Sequence, residues 1–172
     1  MQPIEELVDS AQSGNRLAIE QLVHRYEHAS IVAAWTIVGD FHLAQDVAQE
    51  SLVDAFRQLH QLRDKGAFGP WLLTSVRRRA RRARAKIPKE IQGLELSDLI
   101  PARDGWLVEF QETLPLLAQL PEQELDVVNL RYLSGLSVKQ IALELQRPVG
   151  TVTKQLSRAT QRLRNLLAEV DR

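Results

Sequence analysis

Residues Ser137 to Arg158, SVKQIALELQRPVGTVTKQLSR, restrict the fold more than any other stretch of the chain. Ser137 and Gln140 form an S-x-x-Q pattern, in which each side chain can bond the other residue's backbone N–H, so a helix is predicted to begin there. Val138, Ile141, Ala142 and Leu145 then recur on one face at helical spacing. Gln146-Arg147-Pro148 interrupts that helix, because the ring of Pro148 disfavours the helical conformation at Arg147. A second helix is predicted to follow, with Val152, Leu156, Ala159, Leu163, Leu166 and Val170 on its apolar side. Thr151, Lys154, Gln155, Arg158 and Arg162 occupy the other. Two helices around a tight turn, the second apolar on one side and basic on the other, have the form of a helix-turn-helix that lays its second helix in the major groove of DNA.

The 172 residues, 44% of them hydrophobic, suffice for one or two small globular units. Formal net charge is zero, so bulk charge points to no partner. Its distribution is uneven. Arg77 to Lys86, RRRARRARAK, is the densest basic run, while carboxylates from Glu5 to Asp54 crowd the N-terminal part. This asymmetry suits one nucleic-acid face and other faces for other partners. The absence of cysteine excludes disulfides and cysteine zinc sites. His24 and His28 share a helix face without an identifiable third ligand, so no metal is expected. No glycine-rich phosphate loop and no nucleophile beside a base is visible, so neither a cofactor nor enzymatic activity is expected. With no signal peptide and no membrane-length apolar run, a cytoplasmic protein without membrane insertion is expected.

Helical punctuation continues along the chain. Pro3 and Gly14 bracket a short helix, and Asn15 can cap the next. Leu17, Ile19, Leu22, Val23 and Tyr26 begin a long amphipathic segment that runs through Trp35 to Val38. Gly39 ends it, and Asp40 can cap a helix from about His42 to His60. Gln61 to Gly69 reads as a polar loop. Pro70 suits the first turn of a helix that carries Trp71, Leu72 and Val76 into the arginine run. Breakers Pro88, Gly93 and Pro101 mark residues 88–105 as a linker. Apolar patterning returns at Trp106, Leu107 and Phe110, and Leu120-Pro121-Glu122 opens a helix whose Glu122 and Glu124 complement its positive end. The chain is therefore predicted to be all-α. Two small helical domains, 1–87 and 106–172, are joined by the linker, and the second contains the helix-turn-helix.

Both halves together resemble a bacterial RNA polymerase sigma factor of the extracytoplasmic-function class. Residues 120–167 are similar to that family's fourth conserved region. Asp40 to Arg57, DFHLAQDVAQESLVDAFR, and Phe68 to Arg82, FGPWLLTSVRRRARR, are similar to its second. The resemblance implies binding to core RNA polymerase through its β and β′ subunits, recognition of promoter DNA and help in opening it. It further implies sequestration by an anti-sigma factor. On this pattern Asp46, Gln49 and Glu50 face the polymerase. Phe68, Trp71, Arg77, Arg78, Arg81 and Arg82 serve the −10 element. Arg147, Thr151, Thr153, Lys154, Gln155, Arg158 and Arg162 serve the −35 element.

Three departures from the family pattern stand out. Thr153-Lys154-Gln155 replaces a common Lys-Ser-Arg, which turns the basic group about 100° around the helix. Gln146 stands where glycine is common. Arg78 and Arg82 stand where Asn and Asp are common. A stand-alone helix-turn-helix regulator, or a polymerase-binding protein without promoter selectivity, are the alternative readings.

Overall fold

The computed structural model describes residues 2–87 and 114–170, and every regular element among them is helical. The predicted linker, and the apolar positions Trp106, Leu107 and Phe110, lie outside the described residues. Helices α1 (Ile4–Gln12), α2 (Arg16–Val38), α3 (Phe41–Gln58) and α4 (Phe68–Ala85) precede that interval. Helices α5 (Leu114–Leu117), α6 (Glu122–Tyr132), α7 (Val138–Glu144) and α8 (Val149–Val170) follow it.

Local chemistry sets the boundaries. The Asn15 side chain accepts from the backbone N–H groups of Leu17 and Ala18, and Asp40 accepts from Leu43 at 2.7 Å. Gly39 closes α2 with φ +73°, a left-handed conformation in which a side chain would be strained. Ser137 and Gln140 form the reciprocal capping box at the start of α7. The stretch 61–69 is more ordered than a polar loop. One single-turn 3-10 segment, Leu59–Gln61, ends at its first residue, a second, Lys65–Ala67, lies within it, and α4 already begins at Phe68. Asp64 stabilises the second turn by accepting from the Gly66 N–H.

Helix α2 is the centre of the molecule. It packs on α1, α3 and α4, and also on α5 and α6 from the other end of the chain. Residues Ala29 to Trp35 are consequently buried on every side, as expected for a helix enclosed by neighbours rather than laid on a surface. The amphipathic reading holds only for its first turns, and there Leu17 departs from it: the side chain is 67% exposed. The core runs without a break from Leu7, Leu22, Trp35 and Phe41 to Leu125, Leu130 and Ile141.

The two groups of helices thus share one core. Their contact also carries polar pairs. Arg25 of α2 donates to Glu144 of α7 at 2.6 Å, and the Tyr26 hydroxyl donates to the same carboxylate. The Ser134 hydroxyl donates to the Arg25 carbonyl at 2.6 Å, and Gln146 donates to Asp64 at 2.6 Å. Gly69 makes the close approach possible. A Cβ there would lie 2.6 Å from the Tyr26 hydroxyl and 3.1 Å from the Glu144 carbonyl oxygen.

Candidate nucleic-acid interface

The arginine run is one helix, and each successive arginine turns about 100° around it. Consecutive arginines therefore meet different neighbours. Arg77 and Arg81, four residues apart, face α6. Arg77 pairs with Asp126 and is only 6% exposed, while Arg81 pairs with Glu122. Arg79 turns back to α3, where it pairs with Glu50 at 2.7 Å and with Asp54. Arg84 donates to the Ile37 carbonyl at 2.7 Å. Arg78 and Arg82 are exposed.

Arg78 borders a cavity of about 320 Å³ between α3 and α4. Its walls include Asp54, Pro70, Trp71, Thr74 and Ser75. Trp71 is half-buried at this edge. Phe68 lies deeper: it is fully buried, 5.3 Å edge-on to Tyr26 and 6.1 Å from the Trp71 ring. Of the residues expected on the −10 side, the structure thus gathers Trp71, Arg78 and Arg82 on an open surface. Phe68 is a core ring, because it starts α4 against α2 instead of projecting from a loop. Arg77 is held by a carboxylate.

On α8, Thr151, Lys154, Arg158 and Arg162 are exposed along one side, and Thr153 is exposed about 100° around the helix from Lys154. The Thr153 hydroxyl bonds its own helix at the Val149 carbonyl. Gln155 is not on this surface. It is 9% exposed, donates to the Gln123 side chain and accepts from Arg147. Arg147 also donates to the Gln123 carbonyl at 3.1 Å and lies 3.4 Å from Asp126. Arg162 pairs with Glu124 at 3.0 Å. Of the cations expected at the −35 side, Lys154 and Arg158 therefore stand open, since the carboxylates of α6 take the others. Before them, the turn carries Gln146 at φ +51°, the left-handed conformation that glycine adopts more readily.

On α3, Asp46, Gln49 and Glu50 are exposed at i, i+3 and i+4, one stripe of a single helix face. The other side of α3 is buried through Ala44, Val47, Ala48 and Leu52. The stripe is thus held rigidly and offers oxygen acceptors outward. One of its members is shared, since Glu50 receives Arg79.

Sequence reasoning misses the carboxylates that hold these arginines. Glu122 and Glu124 read as partners of the α6 helix dipole, and no local pattern marks Asp126, Arg25 or Glu144. A signal is nevertheless present: a short acidic helix start following a strongly basic helix in the same chain is a pair of opposite charges seeking one another. At the other polar contact, burial raises the Glu144 carboxyl above its ordinary value, while its hydrogen bond from Tyr26 and the charge of Arg25 pull it down. Burial, and then the charge of Glu144, push the Tyr26 hydroxyl well above its usual range, so it remains a donor.

Comparison with known proteins agrees with the geometry. Residues 22–87 match the model for Sigma-70 region 2, and residues 111–163 match that for Sigma-70, region 4. The chain is 30% identical to the RNA polymerase sigma-H factor of Pseudomonas aeruginosa, covering 91% of this chain and 90% of the relative. It is 31% identical to the ECF RNA polymerase sigma-E factor of Escherichia coli K12, covering 92% and 91% respectively. Among solved structures, it is similar to CnrH in complex with the cytosolic domain of CnrY, with TM-score 0.59, 25% identity, and coverage of 96% and 97%. It is also similar to the sigma factor RpoE in complex with the anti-sigma factor NepR from Bartonella quintana, with TM-score 0.54, 25% identity, and coverage of 89% and 98%.

Proposed function

The chain belongs to the sigma-70 family, in its extracytoplasmic-function class, and is a sigma factor for transcription initiation; from that premise we propose how its surfaces divide the work. Its partners are core RNA polymerase and promoter DNA, with an anti-sigma factor as the regulator. The observation that carries this reading is the presence of both sigma regions in order, in relatives that align over nine-tenths of either chain. A stand-alone regulator would need only the helix-turn-helix, so the region 2 match disfavours it. Sigma factors are non-enzymatic, and we infer that this chain has no reaction of its own. No helix among the described residues is long and apolar enough to cross a membrane, and we propose that the protein works in the cytoplasm.

In this reading the unit within 1–87 docks on the polymerase and serves the −10 element, and the unit within 106–172 serves the −35 element. The exposed stripe of Asp46, Gln49 and Glu50 docks on the polymerase, where acceptor oxygens suit a basic partner surface. The cavity beside Trp71 and Arg78 supports the −10 role, because opened DNA must be held with bases out of the stack. Lys154 and Arg158 support the −35 role by neutralising phosphates along the major groove. Phe68 contributes by seating Trp71, not by meeting a base. Arg77, Arg81, Arg147 and Arg162 contribute to DNA binding after release from their carboxylates.

The test is transcription in vitro with purified core polymerase and a library of promoter fragments. Promoter-dependent initiation with defined start sites is expected. Core binding without selective initiation would instead favour a polymerase-binding protein that has lost promoter selectivity.

A further inference from the structure

Helix α1 precedes both sigma-region matches, which begin at residues 22 and 111, so neither gives it a role. Its side chains nevertheless hold one particular stretch of the chain, residues 59–67. Gln12, the last residue of α1, donates both hydrogens of its amide, one to the Leu59 carbonyl at 2.8 Å and one to the Leu62 carbonyl at 3.0 Å. Capping α3 alone would take one carbonyl; the second belongs to the end of the 3-10 turn beyond it. Asp9 pairs with Lys65 in the next 3-10 turn. The backbones come close as well, since a Cβ on the buried Gly66 would lie 3.1 Å from a carboxylate oxygen of Glu5.

The braced stretch joins the two walls of the cavity beside Trp71. Gln58 on α3 and Pro70 on α4 both line that cavity, and residues 59–67 run between them. Leu59 is buried and Leu62 is half-buried against the core, so the chain is anchored inward there and turns outward at the exposed Arg63 and Asp64. Asp64 accepts from Gly66 and Gln146, and Lys65 is taken by Asp9. The Arg63 side chain makes no hydrogen bond or ion pair with another described residue. An open guanidinium at the edge of a site for unpaired DNA can grip a phosphate with its planar fork. A loop held in place beforehand also loses less freedom on binding than a mobile one. Resting on the −10 role given to this cavity, we propose that α1 is a brace for residues 59–67, and that Gln12 is the positioning residue that holds Arg63 to a backbone phosphate of the opened −10 strand.

The test uses holoenzyme assembled from the full-length chain and core polymerase. The probe is a promoter fragment that supports initiation with the wild-type protein, its −10 segment held open by mismatched bases. Arg63→Ala is expected to lower affinity for this probe about fivefold. The log–log salt slope should become shallower by about 0.7, the value for one phosphate on a single strand. Gln12→Met keeps the length of the side chain and removes both donors. It is expected to lower affinity about threefold and to leave association with core polymerase unchanged. Because Gln12 acts through Arg63, Gln12→Met should cost nothing further in the Arg63→Ala background. Unchanged affinity in either single variant would overturn the proposal. So would an equal loss from Gln12→Met in both backgrounds, or a matching loss of core association, since either marks α1 as a general support of the fold. Should Gln12→Met fail to fold, Gln12→Ala, which admits water to the two carbonyls, takes its place in the cycle. Absence of promoter-dependent initiation with the wild-type protein would overturn the sigma-factor reading and this proposal with it, whereas wild-type initiation with unaltered variants overturns the proposal alone.

Discussion

Arg25 and Glu144 are nearly sealed from water, and each compensates the other there. A buried ion pair adds little over well-packed apolar groups, but removing one partner strands the second. Arg25→Ala should therefore cost about 3–5 kcal/mol in the packing of the two units. Chemical denaturation should lose its single transition and show the units unfolding separately. Gln146 permits a second test at this scale. Its left-handed backbone costs about 1–2 kcal/mol, while its side chain gains a hydrogen bond to Asp64. In an Asp64→Ala background that bond is absent. There, Gln146→Gly should stabilise the protein by about 1 kcal/mol in urea denaturation, and no gain would mean the strain is relieved elsewhere. The left-handed turn is legible through the resemblance, since Gln146 stands where the family commonly has glycine. The fate of Arg77 is not. In RRRARRARAK every arginine looks alike, and the carboxylate that claims Arg77 lies 49 residues away.

Helix boundaries are legible for the same local reason: Asn15, Asp40, Gly39 and the Ser137–Gln140 pair act within a few residues of themselves. The burial of α2 on all sides is not, because a helix that serves two sets of neighbours loses the periodicity that marks one apolar face. The buried Gln155 escapes because its polar side chain reads as outward, although it stands three residues after Val152 and four before Ala159, both buried. Two elements carry predictions. On α3, Asp46→Ala with Gln49→Ala should weaken association with core polymerase about tenfold, measured by labelled-core titration, and leave duplex binding by the free protein unchanged. Equal loss of both would count against the docking stripe. On α8, Lys154→Glu with Arg158→Glu should leave core association intact and reduce upstream-element binding. The log–log salt slope should become shallower by about 0.9 for each phosphate that is no longer neutralised.

For the whole molecule, the packing of the two units is itself a titrating system. The packed form holds the Glu144 proton more tightly than a separated form in which that carboxyl meets water. This contribution to packing is complete below the ordinary value of 4.5 and is lost as pH rises through the raised value. Lowering the pH through the raised value should thus strengthen the packing of the two units against urea denaturation, and Glu144→Gln should flatten that response. A wild-type response equal to that of Glu144→Gln would remove Glu144 as its source. The shared arginines have a consequence for descent as well. Arg77 is held within the chain by Asp126 and Glu122 and, in our reading, has a further partner on DNA, so position 77 is not free to vary alone. In a lineage that replaced Arg77, the buried Asp126 would keep only the longer contact to Arg147, at 3.4 Å. The two positions should change together among relatives, and the pair would record which lineages kept the two units packed.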